Sequence, residues 1–243
     1  MRIVFVRHGD PNYAQDCLTP LGHLQAKRVA ERLDGEGIVK IYASTCGRAL
    51  ETAGYTAERL GLPYTRLDFM REISWGGEPE LYRNGHPWDC ADAMRLADDA
   101  ALFDGTWCNH RYFQTNQVLE YVDSIPPAFD RLLAEQHGVV REGRLYRFTR
   151  EAPETIAVFS HGGSSAVAVS HLLSLPFAYF CTMCQPELTS VTVVTLQASA
   201  GNCAIPRLEI LNDARHLRDI DRISGDDAKN LQSHPCKFSA PAI

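Results

Sequence analysis

Three short apolar runs, each cut off by a polar turn and followed by a helix-like stretch, constrain this chain more than anything else in it. They are Arg2 to Val6 (RIVFV), Ile38 to Ala43 (IVKIYA) and Thr155 to Ser160 (TIAVFS). Runs of this length between turn signals read as buried strands. After the first, the loop Arg7-His8-Gly9-Asp10-Pro11 leads to Thr19 as N-cap and Pro20 as first helical residue. That helix should run to about Leu33, with Leu21, Leu24, Val29 and Leu33 on one stripe and Gly35 and Gly37 beyond it. Ser44 and Thr45 lead from the second run into a helix from about Gly47 to Leu60. His161-Gly162-Gly163 leads from the third into a helix reaching about Leu173. Strand-helix alternation predicts an α/β fold with a mostly parallel sheet and right-handed crossovers.

The remaining segments are less regular. Residues 73–110 hold Gly76-Gly77, Pro79, Gly85, Pro87 and all three tryptophans, with a short helical stretch near 89–102. They read as an insertion capping the sheet. A long helix is expected from about Tyr112 to Glu135, with Pro126-Pro127 as the place for a kink. Arg144 to Arg150 reads as a further strand. Leu188 to Gln197 and Ala204 to Leu211 read as two more, joined by a hairpin at Gly201-Asn202. The organisation is then one domain over 1–217 and a polar tail over 218–243, expected to be partly disordered.

The longest apolar stretch, Leu172 to Cys184, has 13 residues and is interrupted by Ser174, Pro176 and Thr182. A bilayer needs roughly 20, so no membrane association is expected. Arg7 to Asp10 interrupt the first apolar run too early for a secretory signal. Eight scattered cysteines are too sparse for a disulfide framework in a chain of 243 residues. Cytoplasmic residence is the expectation. A net charge of -6 disfavours nucleic acid as partner. It leaves room for a local cationic pocket and a small phosphorylated substrate.

Arg7-His8, Ser44 to Arg48 and His161-Gly162 each follow a predicted strand, so a parallel sheet would gather them at one carboxyl edge. Two arginines, two histidines and two helix N-termini facing one crevice suit phosphate. Guanidinium forks match its oxygens, and helix N-termini add backbone donors.

Arg7-His8-Gly9 resembles the signature of the histidine phosphatase superfamily, branch 1, with its phosphoglycerate mutase-like fold. The resemblance continues through Leu18-Thr19-x-x-Gly22-x-x-Gln25-Ala26 and Ser44-x-x-x-Arg48-Ala49-x-x-Thr52-Ala53. It resumes at Arg71-Glu72 before Trp75-Gly76, at Ser160-His161-Gly162-Gly163 and at Asn212-Asp213-x-x-His216-Leu217. It implies a three-layer α/β/α sandwich, a mostly parallel central sheet and an inserted cap. It also implies a phosphatase without metal or cofactor, in which His8 becomes a phosphohistidine. In that reading Arg7, Arg48, His161 and Gly162 bind the phosphoryl group, and Glu72 protonates the leaving oxygen, with Glu78 or Glu80 as alternatives for the acid.

The chemistry agrees with these roles. A nucleophilic imidazole must be neutral with one nitrogen free, and neighbouring Arg7 and Arg48 favour that state. The family arrangement has a backbone carbonyl near Gly9 fix the tautomer. A mutase is the first alternative, although residues 10–19 (DPNYAQDCLT) lack the mutases' Trp-containing stretch, and Arg71 is followed by Glu72 rather than by a second arginine. A member that binds phosphorylated ligands without turnover is the second. Asn12 reads as a turn residue, His171 as packed, His216 as an anchor of the tail, and Cys181 and Cys184 as buried thiols. The tryptophans read as the core of the cap.

Overall fold

The computed structural model describes residues 1–218 and 220. A six-stranded sheet forms its centre. Parallel strands β1 (Arg2–Arg7), β8 (Thr155–Ser160), β4 (Ile38–Ser44) and β5 (Tyr64–Leu67) lie side by side. Antiparallel β9 (Val191–Thr195) and β11 (Arg207–Asp213) extend the sheet beyond β1, in the order β11-β9-β1-β8-β4-β5. Two small sheets flank it: the hairpin of β2 (Pro11–Asn12) and β3 (Cys17–Leu18), and β10 (Cys203–Ala204) beside β7 (Leu145–Phe148) and β6 (Val139–Glu142).

Strand residues alternate between two apolar layers, because successive side chains point to opposite faces. Val4, Val6, Ile41, Ala43, Ala157 and Phe159 pack with Val29, Leu33, Ala53 and Ala57 of α1 (Pro20–Leu33) and α2 (Gly47–Leu60). Ile3, Phe5, Tyr42, Ile156 and Val158 face the other way. There they meet α4 (Val118–Leu132), α5 (Gly162–Leu173) and, further out, α3 (Pro87–Leu96) and α6 (Phe177–Met183). The fold is the α/β/α sandwich expected.

Local signals place the helices closely. Thr19 caps α1 by accepting from the Gly22 N–H at 3.1 Å, with Pro20 at the first position. Glycine at 22 is required by space, since a Cβ there would stand 2.2 Å from the Asp10 carbonyl oxygen. Gly61, left-handed at φ 66°, ends α2.

Three expectations are corrected. The helix expected from Tyr112 begins at Val118, whose N–H is taken by the Asn116 side chain while the Gln117 N–H goes to Gly76. It continues unbroken through Pro126 and Pro127. The antiparallel β9–β11 pair does form, but not through a tight turn at Gly201-Asn202. The intervening chain instead places β10 against β7 in the second sheet. Strands β5 and β6, short and partly exposed, had no clear periodic signal.

The polar tail beyond residue 220 lies outside the described residues. Among the described residues Cys181 and Cys184 are buried free thiols. Among the described residues no single helix is long and apolar enough to cross a membrane.

Candidate active site

Sheet register assembles the centre. Arg7 pairs with Ser160, and Ala43 with Phe159, so β1, β4 and β8 end together and deliver Arg7-His8, Ser44 and His161 to one edge. His8 and His161 are almost fully enclosed, their rings edge to face with centroids 5.1 Å apart.

The His8 Nδ1 lies 2.7 Å from the Gly9 carbonyl oxygen. A carbonyl only accepts, so Nδ1 carries the proton and Nε2 keeps its lone pair. Burial above all, aided by Arg7 and Arg48 and opposed by the Gly9 carbonyl and Asp16, brings the His8 pKa down to about 3. At neutral pH the ring is uncharged. His161 Nε2 meets the Ser44 hydroxyl at 2.8 Å, and burial with the neighbouring His8 and arginines lowers its pKa to about 2.

Both arginines are held from behind. Arg7 Nη1 donates to the Pro186 carbonyl at 2.5 Å, and Arg48 Nη1 to Asp16 Oδ1 at 2.5 Å. Asp16 Oδ2 also accepts from the Gly47 N–H at 2.7 Å. Arg7 packs against Gly162, where a Cβ would stand 3.7 Å from its Nε. Among the described residues, the buried Nε atoms of Arg7 and Arg48 and Nδ1 of His161 have no protein partner. Such groups suit a ligand carrying several acceptor oxygens.

Glu72 reaches the same place from the segment after β5. Its Oε1 accepts from the N–H groups of Ile73 (3.0 Å), Gly163 (3.0 Å) and Ser164 (3.3 Å). Burial pushes the carboxyl pKa up, outweighing those hydrogen bonds and the pull of Arg7. Glu78 and Glu80 are exposed, whereas donor atoms of Glu72, His8 and His161 lie within 4.8 Å of one another. Two imidazoles and a carboxylate can ligate a transition metal. Arg7 and Arg48 beside them oppose a cation and favour an anion.

The expectation that helix N-termini would donate to phosphate is corrected in part. Asp16 occupies the Gly47 N–H of α2, and Glu72 occupies the Gly163 and Ser164 N–H groups of α5. The free donors facing a ligand are therefore mainly side chains. Asp16, Ser44 and Thr52, which holds the Gly9 N–H at 3.0 Å, were not singled out as functional. Cys46 at the N-cap of α2 makes no side-chain capping bond. That was a legible sign that an acceptor such as Asp16 must come from elsewhere.

The other candidates take quieter places. Asn12 accepts from the Gln15 N–H within its turn, and His171 pairs with Asp130 at 2.9 Å. Trp88 and Trp107 are buried in the cap, while Trp75 is 36% exposed.

Fold and site together resemble those of the histidine phosphatases. Residues 3–105 match the model of the histidine phosphatase superfamily (branch 1). Among the chain's relatives is a probable phosphoglycerate mutase (GpmB) of Erwinia tasmaniensis. The two are 26% identical over 230 residues, spanning 90% of this chain and 96% of the relative. A mycobacterial glucosyl-3-phosphoglycerate phosphatase, solved with inorganic phosphate, superposes with a TM-score of 0.61. It is 25% identical, and the match covers 88% of this chain and 98% of that one. A phosphoserine phosphatase of Entamoeba histolytica, 20% identical over 89% of this chain and 98% of its own, shares the fold with a TM-score of 0.58.

Proposed function

We propose that this chain is a metal-independent phosphomonoesterase acting through a phosphohistidine on His8. The observation carrying the proposal is the His8 tautomer. Nδ1 is committed to the Gly9 carbonyl, leaving a neutral Nε2 beside two arginines. In the first step Nε2 bonds to phosphorus as the ester P–O bond breaks. Glu72 gives its proton to the departing oxygen, a task suited to a carboxyl whose pKa is raised. Arg7, Arg48, His161 and the backbone at Gly162 surround the phosphoryl oxygens and stabilise the charge that develops on them. In the second step the Glu72 carboxylate takes a proton from water, whose oxygen bonds to phosphorus as the N–P bond breaks. Phosphate leaves and His8 returns to its starting tautomer.

Hydrolysis is favoured over transfer to a second substrate hydroxyl. Residues 10–19 lack the Trp-containing stretch of the mutases, and Arg71-Glu72 stands where an arginine pair would be expected. The test is phosphate release from p-nitrophenyl phosphate with and without EDTA, followed by a panel of phosphorylated metabolites. Undiminished release in EDTA is expected. Loss of activity in EDTA overturns the metal-independent reading. Interconversion of phosphoglycerates without net phosphate release would establish the mutase instead, and binding without turnover a ligand-binding member.

A further inference from the structure

The reaction above leaves unused the segment Asn212-Asp213-x-x-His216-Leu217, which runs from the end of β11 into a short helical turn. We propose that this segment is a strap that orients the nucleophile, with His216 acting through Thr189 on His8 and Asn212 acting through the 185–187 backbone on Arg7. The inference rests on the phosphohistidine reading of the site.

The peptide joining His8 to Gly9 is clamped at both ends. Its N–H donates to the Thr52 hydroxyl at 3.0 Å, and its carbonyl accepts from the Thr189 N–H at 3.2 Å. The plane of this peptide directs the chain to the next carbonyl, that of Gly9, which holds His8 Nδ1. Thr189 is therefore one of two grips on the nucleophile's tautomer-setting backbone.

Thr189 itself is in an unexpected conformation. The Ser190 N–H donates to the Glu187 carbonyl at 3.1 Å, closing a turn with Thr189 as its third residue. The φ of Thr189 is +53°, a value that favours glycine or asparagine and is strained for a β-branched residue. Its side chain explains its presence. The fully buried Thr189 places its hydroxyl 3.0 Å from His216 Nε2. Strain of this kind persists only where surrounding contacts over-determine it, and it gathers at functional sites.

Asn212 makes the matching contact. Also at φ +53°, it accepts from the Glu187 N–H at 2.7 Å and donates to the Gln185 carbonyl at 3.2 Å. Between those two residues lies Pro186, whose carbonyl holds Arg7. Asp213, paired with Arg32 at 3.5 Å and with Arg215 at 2.8 Å, fixes the strap to α1 and to its own turn.

Three variants test the strap: His216→Ala, His216→Gln and Thr189→Gly. His216→Ala and Thr189→Gly should each lower kcat on p-nitrophenyl phosphate about tenfold with KM changed less than about twofold, because misplacement weakens attack rather than binding. His216→Gln, which keeps a hydrogen-bonding group, should recover most of the loss. Thr189→Gly should keep its Tm, since glycine suits the backbone there. Nitrogen NMR should find His8 as a single Nδ1–H tautomer in the wild type and as a mixture in His216→Ala. An unchanged kcat and tautomer in folded His216→Ala would overturn the strap. So would a kcat loss that follows Tm and is not recovered by glutamine. The tautomer is read without substrate, so a wild type inactive on every monoester would sink the phosphatase reading while the spectra still decide the strap.

Discussion

The floor of the site and the segment above it are held by different physics. The floor is made of the ends of β1, β4 and β8, where sheet register and backbone hydrogen bonds fix Arg7, His8, Ser44 and His161. The segment 68–117 has one helix, several single turns and side chains that reach across the sequence. Trp88 Nε1 donates to the Cys184 carbonyl at 2.8 Å, and Asn116 Nδ2 to that of Gly85 at 2.7 Å. Glu72 is where the two meet. The contrast teaches that sheet register, not the irregular segment, fixes where Arg7, His8 and His161 stand.

The strongest way to break the comparison is to remove the floor's central group. His8→Ala should lower turnover by roughly 10⁴-fold or more while the fold persists, since residues acting as one catalytic unit fail together. Steady-state kinetics and circular dichroism check it, and appreciable residual turnover removes His8 as nucleophile. Next comes the joint between the regions. A Cβ at Gly163 would stand 2.2 Å from Ile73 Cγ1 and 2.8 Å from Glu72 Oε1, so Gly163→Ala must displace the acid. We expect kcat on an alkyl phosphate to fall roughly 100-fold, by misplacement of a catalytic group. The fall on p-nitrophenyl phosphate should be smaller, because its leaving group needs less protonation. Equal losses on the two substrates would argue against Glu72 as proton donor.

This division also explains what was legible in the sequence. Strand runs, the Thr19 cap and Gly61 act locally, so α1, α2 and the site-bearing strand ends were readable, and the positions of His8, Arg48 and His161 followed from topology. Asp16 was not readable as the partner of Arg48, because that pairing depends on how the 10–19 loop folds back onto α2. The irregular start of α4 was lost for a similar reason. Asn116 and Gly76 decide it, and neither leaves a periodic trace. Thr189 was invisible as a strained residue, since nothing in its chemistry announces a positive φ.

A smaller effect concerns acid. Burial lowers the pKa values of His8 and His161 from 6.5 to about 3 and about 2. The folded state then binds fewer protons than the unfolded chain between about pH 3 and pH 6.5. These groups therefore leave stability intact above pH 6.5 and drain it as pH falls toward 3. His161→Gln removes one of them, so its stability loss between pH 6.5 and pH 5 should be about 2 kcal/mol smaller than the wild type's. Urea unfolding at the two pH values measures this. An identical acid loss in both proteins would mean that His161 is not held neutral by the fold.

The smallest expected effect sharpens the cap side of the comparison. Trp75 lies three residues after Glu72, 36% exposed, with its ring edge to face with His86 at 5.3 Å. Nearly two thirds of its surface is covered, so Trp75→Ala should lower stability by about 1 kcal/mol or somewhat more. Its kcat on p-nitrophenyl phosphate should stay unchanged, because neither His8 nor the arginines depend on it. What should change is the ratio of kcat/KM between phosphates with bulky and with small leaving groups, by roughly 10-fold if the indole contacts the departing portion. A uniform fall across all substrates would instead tie Trp75 to Glu72 and erase the boundary between floor and cap. An altered ratio with intact kcat would establish that substrate choice resides above the sheet edge and bond cleavage within it.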